Sequence, residues 1–408
     1  MTKAGCGECR ENMRLLVLTE RYYPEEFLIN DLVSEWKKSG FDVEVLTQVP
    51  SYPHDKVFDG YQNKGLQTTL EPGKIPVHRV KTVLGYNRSV VRKIVNYISF
   101  AVRTSLWCLS RGRCYERVFV YHTGPLTMAS AVVFSHYLWR KKCVIWTQDL
   151  WPDAIYAYGF KKSMFREWLL GAFVRLIYSA CSEALVSCPG FVEPLQKRIN
   201  RDVKFVPQWD TSGEPVAEKE PDGKVIFMFT GNMGVPQNLE RVIRAFDQAK
   251  MCSAELHLVG GGVMLEPLKE LVRKEAISNV VFHGRQPRGE MASFFSFADV
   301  LLLPLTADFA QTLPGKFQTY LKAGRPIFGI LKGAAEVMIR DYRLGVTADP
   351  ADIGMIAEGF RQLQVETLRH ELAVYRKNCL ALSEDLFQRE KLIASLTSQV
   401  TDKKECQC

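Results

Sequence analysis

Three apolar runs that each end in glycine constrain this chain more than any other feature. Val225-Ile226-Phe227-Met228-Phe229-Thr230 leads into Gly231-Asn232-Met233-Gly234, Leu256-His257-Leu258-Val259 into Gly260-Gly261-Gly262, and Val280-Val281-Phe282-His283 into Gly284-Arg285. A short apolar run bounded by glycine reads as a buried strand. Glycine at the C-terminal end of a strand lets the backbone come close to a ligand and point N–H groups at it. Three such ends in one stretch of alternating strands and helices describe a pocket for a nucleotide diphosphate.

The chain has 408 residues, which suits two domains of ordinary size. Apolar residues make up 47% and charged residues 24%, so the chain is globular rather than disordered. A net charge of +8 fits an anionic ligand or an anionic membrane surface. It does not call for nucleic acid, because the basic residues are dispersed among apolar stripes. Eleven cysteines without regular spacing argue against a disulfide framework and for a reducing, cytosolic compartment. Cys6 and Cys9 have metal or redox spacing, and Cys406 and Cys408 stand at the other end. No second Cys-x-x-Cys completes a zinc site, so both pairs read as frayed termini. The apolar run at 13–19 is too short for a signal-peptide core, and no window reaches the roughly 18 apolar residues of a membrane-spanning helix.

Strands are predicted at 13–19, 42–47, 77–80, 117–121, 143–147, 183–188 and 203–206, then at 224–230, 254–259, 279–283, 299–303 and 326–330. Helices lie between them. One is predicted at about 27–39, with Leu28, Leu32, Val33 and Trp36 on one face, and another at 239–249, with Leu239, Val242, Ile243 and Phe246. The first strand–helix–strand unit predicts parallel pairing. The fold class is α/β: two doubly wound Rossmann-like domains with a cleft between them. The expected division is a leader at 1–12, a first domain at 13–207, a linker at 208–223, a second domain at 224–372, and a solvated closing helix and tail at 373–408.

Two segments of the first half join cations to apolar and aromatic residues. Residues 88–113 carry Arg88, Arg92, Lys93, Arg103, Arg111 and Arg113 among Val90, Val91, Ile94, Ile98, Leu106 and Trp107. Residues 161–178 carry Lys161, Lys162, Arg166 and Arg175 among Phe165, Trp168, Leu169 and Phe173. Cationic amphipathic helices with Trp and Phe suit an anionic membrane interface.

In this order the motifs resemble the GT-B glycosyltransferases, in particular the large retaining family, family 4, that builds bacterial polysaccharides. The resemblance runs from Met13 over nearly the whole chain. It rests on Tyr22-Tyr23-Pro24, Gly85-Tyr86, Gln148-Asp149-Leu150-Trp151-Pro152-Asp153, Thr230 to Gly234, Asn238-Leu239, Gly260 to Gly262, and Lys316 to Pro326. The Asp-Leu-Trp-Pro element is similar to the branch that transfers amino- or deoxysugars in capsule, O-antigen and colanic acid assembly.

That resemblance implies cleavage of the bond between a sugar's anomeric carbon and a nucleotide diphosphate, with charge growing on the departing diphosphate. The chain has no Asp-x-Asp, so no metal is expected, and no cofactor. The donor site is expected at Gly231, Asn232, Met233 and Gly234, whose N–H groups would face the diphosphate, with Gly261 and the N-terminus of the helix near Leu239. Many family members carry a cation just before Asn-Leu, where this chain has Gln237; Lys316 and Arg285 are the replacement candidates. The family's Glu-x7-Glu pair becomes Gln311 and Thr319. Asp149 and His122 are candidates to receive a proton from the acceptor or to orient it, and Glu20, Tyr22 and Tyr23 are expected around the acceptor. The implied partners are a nucleotide sugar, a UDP-sugar by family habit, a polyprenyl diphosphate-linked saccharide, and the inner face of the cell membrane, where a cytoplasmic peripheral protein would meet it. Two alternatives stay open: a sugar-nucleotide 2-epimerase of the same fold, and a non-catalytic GT-B assembly subunit, which Gln237, Gln311 and Thr319 would suit.

Overall fold

The computed structural model describes residues 13–85, 88–151, 163–210, 216–217, 223–364 and 369–401. Outside the described residues lie the expected leader with Cys6 and Cys9, Tyr86, Pro152 and Asp153, Lys161 and Lys162, much of the expected linker, and Cys406 and Cys408.

The chain divides into two compact units, one of residues 1–187, 191–206 and 390–408, the other of residues 188–190 and 207–389. The first unit holds an eight-stranded sheet in the order β3-β4-β2-β1-β5-β6-β7-β8. Its strands are β1 (Arg14–Thr19), β2 (Asp42–Gln48), β3 (Leu66–Glu71), β4 (Ile75–Val80), β5 (Arg117–His122), β6 (Lys142–Thr147), β7 (Glu183–Val186) and β8 (Lys204–Phe205). All neighbours pair in parallel except β3 with β4. The parallel strands are covered by helices, so their apolar runs are continuous: Leu15 to Leu18 are fully buried. Strand β3 was not expected. Its sequence Leu-Gln-Thr-Thr-Leu-Glu is half polar and its Leu66 and Leu70 are exposed, which is what an edge strand tolerates and what hides it from an apolar pattern.

The second unit holds a six-stranded parallel sheet in the order β11-β10-β9-β12-β13-β14. Its strands are β9 (Val225–Asn232), β10 (Ala254–Gly261), β11 (Val280–Gly284), β12 (Val300–Pro304), β13 (Ile327–Ile330) and β14 (Gly345–Ala348). Strand β14 was also missed; it is four residues long and starts at a glycine whose Cβ would collide with the Ile327 carbonyl. The helix Leu239–Ala249 buries Leu239, Val242, Ile243 and Phe246, as its spacing predicts. Phe227, Phe246, Phe328 and Phe360 meet edge-on at the centre of this core.

The tail differs from expectation. It forms two helices, Arg369–Leu386 and Arg389–Thr401, and neither is simply solvated. Cys379 and Leu382 enter the core of the second unit, whereas Leu392, Ile393, Leu396 and Val400 are buried in the first, where Trp36 Nε1 donates to Thr397 Oγ1 at 2.8 Å. The described part of the expected linker also packs: Arg325 donates to the Ala217 carbonyl at 2.8 Å and Arg376 to that of Val216 at 2.7 Å.

Candidate active site

In a doubly wound sheet, ligands bind at the C-terminal strand ends where the winding reverses. In the second unit the reversal falls between β9 and β12. Gly231, near the end of β9, has φ +115°, and a Cβ there would stand 2.6 Å from Lys316 Cε and 3.1 Å from Lys316 Nζ. Glycine is favoured here by its dihedral, and any side chain would have to displace the lysine lying across it. Gly260, with φ +134°, pairs beside Gly231 so closely that a Cβ would collide with the Gly231 carbonyl. Gly261 lies against Arg285, whose Cγ and Nε would each be 3.1 Å from a Cβ. The folded sheet thus brings two cations from distant parts of the sequence onto two strand-end glycines.

Lys316 begins the helix Lys316–Ala323. Its ammonium stands over the Phe229 ring, 3.8 Å from the centroid, and has no carboxylate partner among the described residues. Burial lowers its pKa to about 7. A half-desolvated cation held by a ring quadrupole and no anion is poised to gain from an anionic ligand.

The N–H reading needs correction. Met233 N donates to the Gly261 carbonyl at 2.8 Å and Gly234 N donates to Gln237 Oε1 at 3.0 Å, so both groups are spent inside the protein. Gln237 accordingly closes the turn before the helix Leu239–Ala249, with Asn238 left-handed at φ +43°. Gly231 and Asn232 keep their place at the strand end, and the positive charge comes from side chains. Gln311 is exposed, and its backbone carbonyl accepts from the Cys188 thiol. Thr319 donates to Asp210 Oδ1 at 3.3 Å. Asp210 was missed; it lies in the stretch expected to be linker, where nothing local marks it.

In the first unit the reversal falls between β1 and β5. Glu20 follows β1 and is buried, with Gln48 Nε2 donating to its Oε1 at 3.2 Å and Arg21 at 3.5 Å. A Cβ on Gly124 would stand 2.5 Å from Glu20 Oε2, so that glycine makes room for the carboxylate. Burial raises the Glu20 pKa against the pull of Arg21. Asp149, after β6, reaches solvent, yet surrounding protein and then the charge of Glu20 raise its pKa to about 6. His122 ends β5 fully buried; burial lowers its pKa to about 4 against the opposing pull of the Gly124 backbone, and no side chain among the described residues hydrogen-bonds either ring nitrogen. Gln48 Oε1, Ser51 Oγ, Thr123 Oγ1 and Thr127 Oγ1 are also buried without partners. Orphaned polar groups are rare in cores, and this strand-end gathering suits a ligand rich in hydroxyls.

Tyr22 does not join them. It is 3% exposed, and burial and then Glu71 push its hydroxyl pKa upward, so it packs beneath the loop. Tyr23 is exposed and its carbonyl accepts from Arg79 at 2.6 Å. Glu25 Oε1 accepts from the Ser51 and Tyr52 amides at 2.8 and 2.7 Å and from Arg21 at 3.3 Å, which fixes the loop after β2.

Residues 224–365 match the family model described as glycosyl transferases group 1. Two Rossmann-like sheets, parallel except for the edge strand β3, and the superposition on solved GT-B structures decide the architecture. The chain has the GT-B fold, and its residues 224–365 are similar to the glycosyl transferases of group 1. This GT-B chain is 24% identical over 246 residues to the probable glycosyltransferase WbjE of Pseudomonas aeruginosa, covering 56% of the chain and 62% of WbjE, less than two thirds of that relative. It is 24% identical over 383 residues to the putative colanic acid biosynthesis glycosyl transferase WcaI of Escherichia coli K12, covering 86% of the chain and 92% of WcaI. Among solved structures, HepE of Anabaena in complex with UDP superposes with a TM-score of 0.68 at 11% identity, over 96% of this chain and all of that one.

Proposed function

We propose that this chain is a glycosyltransferase that moves a sugar, with retention and without a metal, from a UDP-sugar to a lipid-linked saccharide in surface polysaccharide assembly on the inner face of the cell membrane. The observation that carries the reading is Lys316, a half-buried cation without a carboxylate among the described residues, laid across Gly231 at the winding reversal of the second sheet. The bond that breaks joins the anomeric carbon to the diphosphate oxygen, which keeps the electron pair. Lys316 and Arg285 would hold that growing negative charge in place of a divalent cation. The bond that forms joins the same carbon to an acceptor hydroxyl, whose proton passes to the departing phosphate. Asp149, with Glu20 and His122, would orient the hydroxyl. Asp210, held by Thr319, would accept from the nucleotide ribose, where the family uses a glutamate.

Support for UDP and for polysaccharide assembly comes from the kinds of protein the chain is similar to, HepE with its bound UDP and WcaI of colanic acid biosynthesis. Support for the membrane comes from the helices Val90–Arg111 and Met164–Ser179. They expose Val91, Ile98, Leu106, Phe165 and Trp168 beside Arg92, Arg103 and Arg175, and no helix among the described residues is long and apolar enough to cross a bilayer. The test is thermal stabilisation by UDP, GDP and UDP-sugars with and without EDTA, followed by turnover on lipid-linked acceptors. Stabilisation by UDP that survives EDTA is expected; a shift that EDTA removes would overturn the metal-free site.

A further inference from the structure

A hollow of about 290 Å³ lies on the first unit, lined by His136, Tyr137, Arg140, Lys141, Lys142 and Ser182. Lys142 is the first residue of β6, so the hollow stands at the N-terminal edge of the sheet, opposite the strand ends that carry Glu20 and Asp149. No carboxylate lines it. Glu183, next in sequence to Ser182, is ion-paired with Lys204 at 2.9 Å. Arg140 and Lys141 make no ion pair among the described residues.

The rim is built, not incidental. His136 Nδ1 lies 3.3 Å from the Lys141 carbonyl, and Arg140 takes the left-handed φ of +52° that turns the chain back on itself. Tyr137 OH lies 3.1 Å from Ser179 Oγ, at the end of the helix Met164–Ser179. Trp139 Nε1 donates at 3.0 Å to the Cys108 carbonyl, near the end of the helix Val90–Arg111. The histidine and the phenol are thereby held, with the cations Arg140, Lys141 and Lys142 beside them, near the ends of the two exposed amphipathic helices.

We propose that this hollow binds a phosphate group. Several cations around one concavity match a multiply charged oxyanion better than a single carboxylate. The phosphate has two sources, the headgroup of an anionic phospholipid or a soluble phosphate compound. The lipid source rests on the membrane reading above; the soluble source does not.

The test compares the intact protein with Arg140→Asn/Lys141→Gln, asparagine being chosen because it tolerates the left-handed backbone. Lys64→Gln/Lys81→Gln removes the same charge from exposed positions outside the hollow and outside both amphipathic helices and serves as control. Sedimentation with phosphatidylcholine vesicles, with and without phosphatidylglycerol, reads the lipid source. Thermal shift with inorganic phosphate and glycerol 3-phosphate reads the soluble one, and UDP binding checks that both variants fold. Loss of roughly 20- to 30-fold in affinity for the anionic vesicles is expected for the hollow variant and a much smaller loss for the control. If the wild-type protein ignores vesicles but phosphate stabilises it and not the hollow variant, the pocket stands and the membrane reading falls. Equal losses in both variants with no response to phosphate would reduce the effect to general surface charge and overturn the pocket.

Discussion

The two units reverse their winding at the same topological point, and they furnish it with opposite chemistry. The second unit presents Gly231, Gly260 and Gly261 under Lys316 and Arg285. The first presents Glu20, Asp149 and His122 among hydroxyl and amide groups without partners. One edge is cationic with backbone exposed, suited to a diphosphate. The other is acidic and short of hydrogen bonds, suited to a hydroxyl-rich acceptor. Similar sheets therefore do not imply similar ligands; the side chains at the strand ends separate them.

The largest break in that contrast is Lys316→Ala. With the ammonium gone, turnover on a UDP-sugar should fall roughly 100- to 1,000-fold in steady-state assays, the usual cost of removing one stabiliser of a leaving charge. A non-catalytic assembly subunit would show no activity to lose. Gly231→Ala comes next. Its φ of +115° is strained for alanine, and the new methyl must displace Lys316, so UDP affinity measured by calorimetry should weaken about tenfold or more.

The pH dependence sharpens the comparison. Lys316, with a pKa of about 7 in the unliganded protein, binds an anion best when protonated. An anion raises that pKa, so UDP affinity should be full below pH 7 and decline above it, by up to about tenfold per pH unit until the pKa of the complex is passed. A flat profile from pH 6 to 9 would remove Lys316 from the donor site. On the other edge, Asp149 acting as a carboxylate should give an acid limb near pH 6 in kcat/KM, absent in Asp149→Asn. The smallest effect is expected for Gly124→Ala. It meets only the far end of the Glu20 side chain, so acceptor KM should shift by about two- to fivefold with donor affinity unchanged.

Local pattern made much of this legible. An apolar run is a statement about neighbouring residues, so most strands and the helix Leu239–Ala249 could be read directly. The half-polar β3 and the four-residue β14 could not, because edge position and shortness erase the pattern. At the site, the glycines were legible because a strand end needs them, and Lys316 because it opens a helix after Pro314-Gly315. The fate of Gln237 was not, since its side chain could as well face a ligand as cap the Gly234 amide. Tyr22 sits in a loop whose polarity predicts exposure, yet it is buried, near enough to Glu71 and Arg79 for its hydroxyl to feel their charges.

By itself the sequence determined the class of fold, most of the strands, and the strand ends where a ligand could approach, because periodicity and glycine act within a few residues. Only the tertiary structure decided that Lys316 lies on Gly231, that Asp210 meets Thr319, that Met233 and Gly234 have spent their amides, and that the tail divides between two cores. Those outcomes depend on contacts between residues far apart in the chain, and on what each burial does to a charge, which no local pattern encodes.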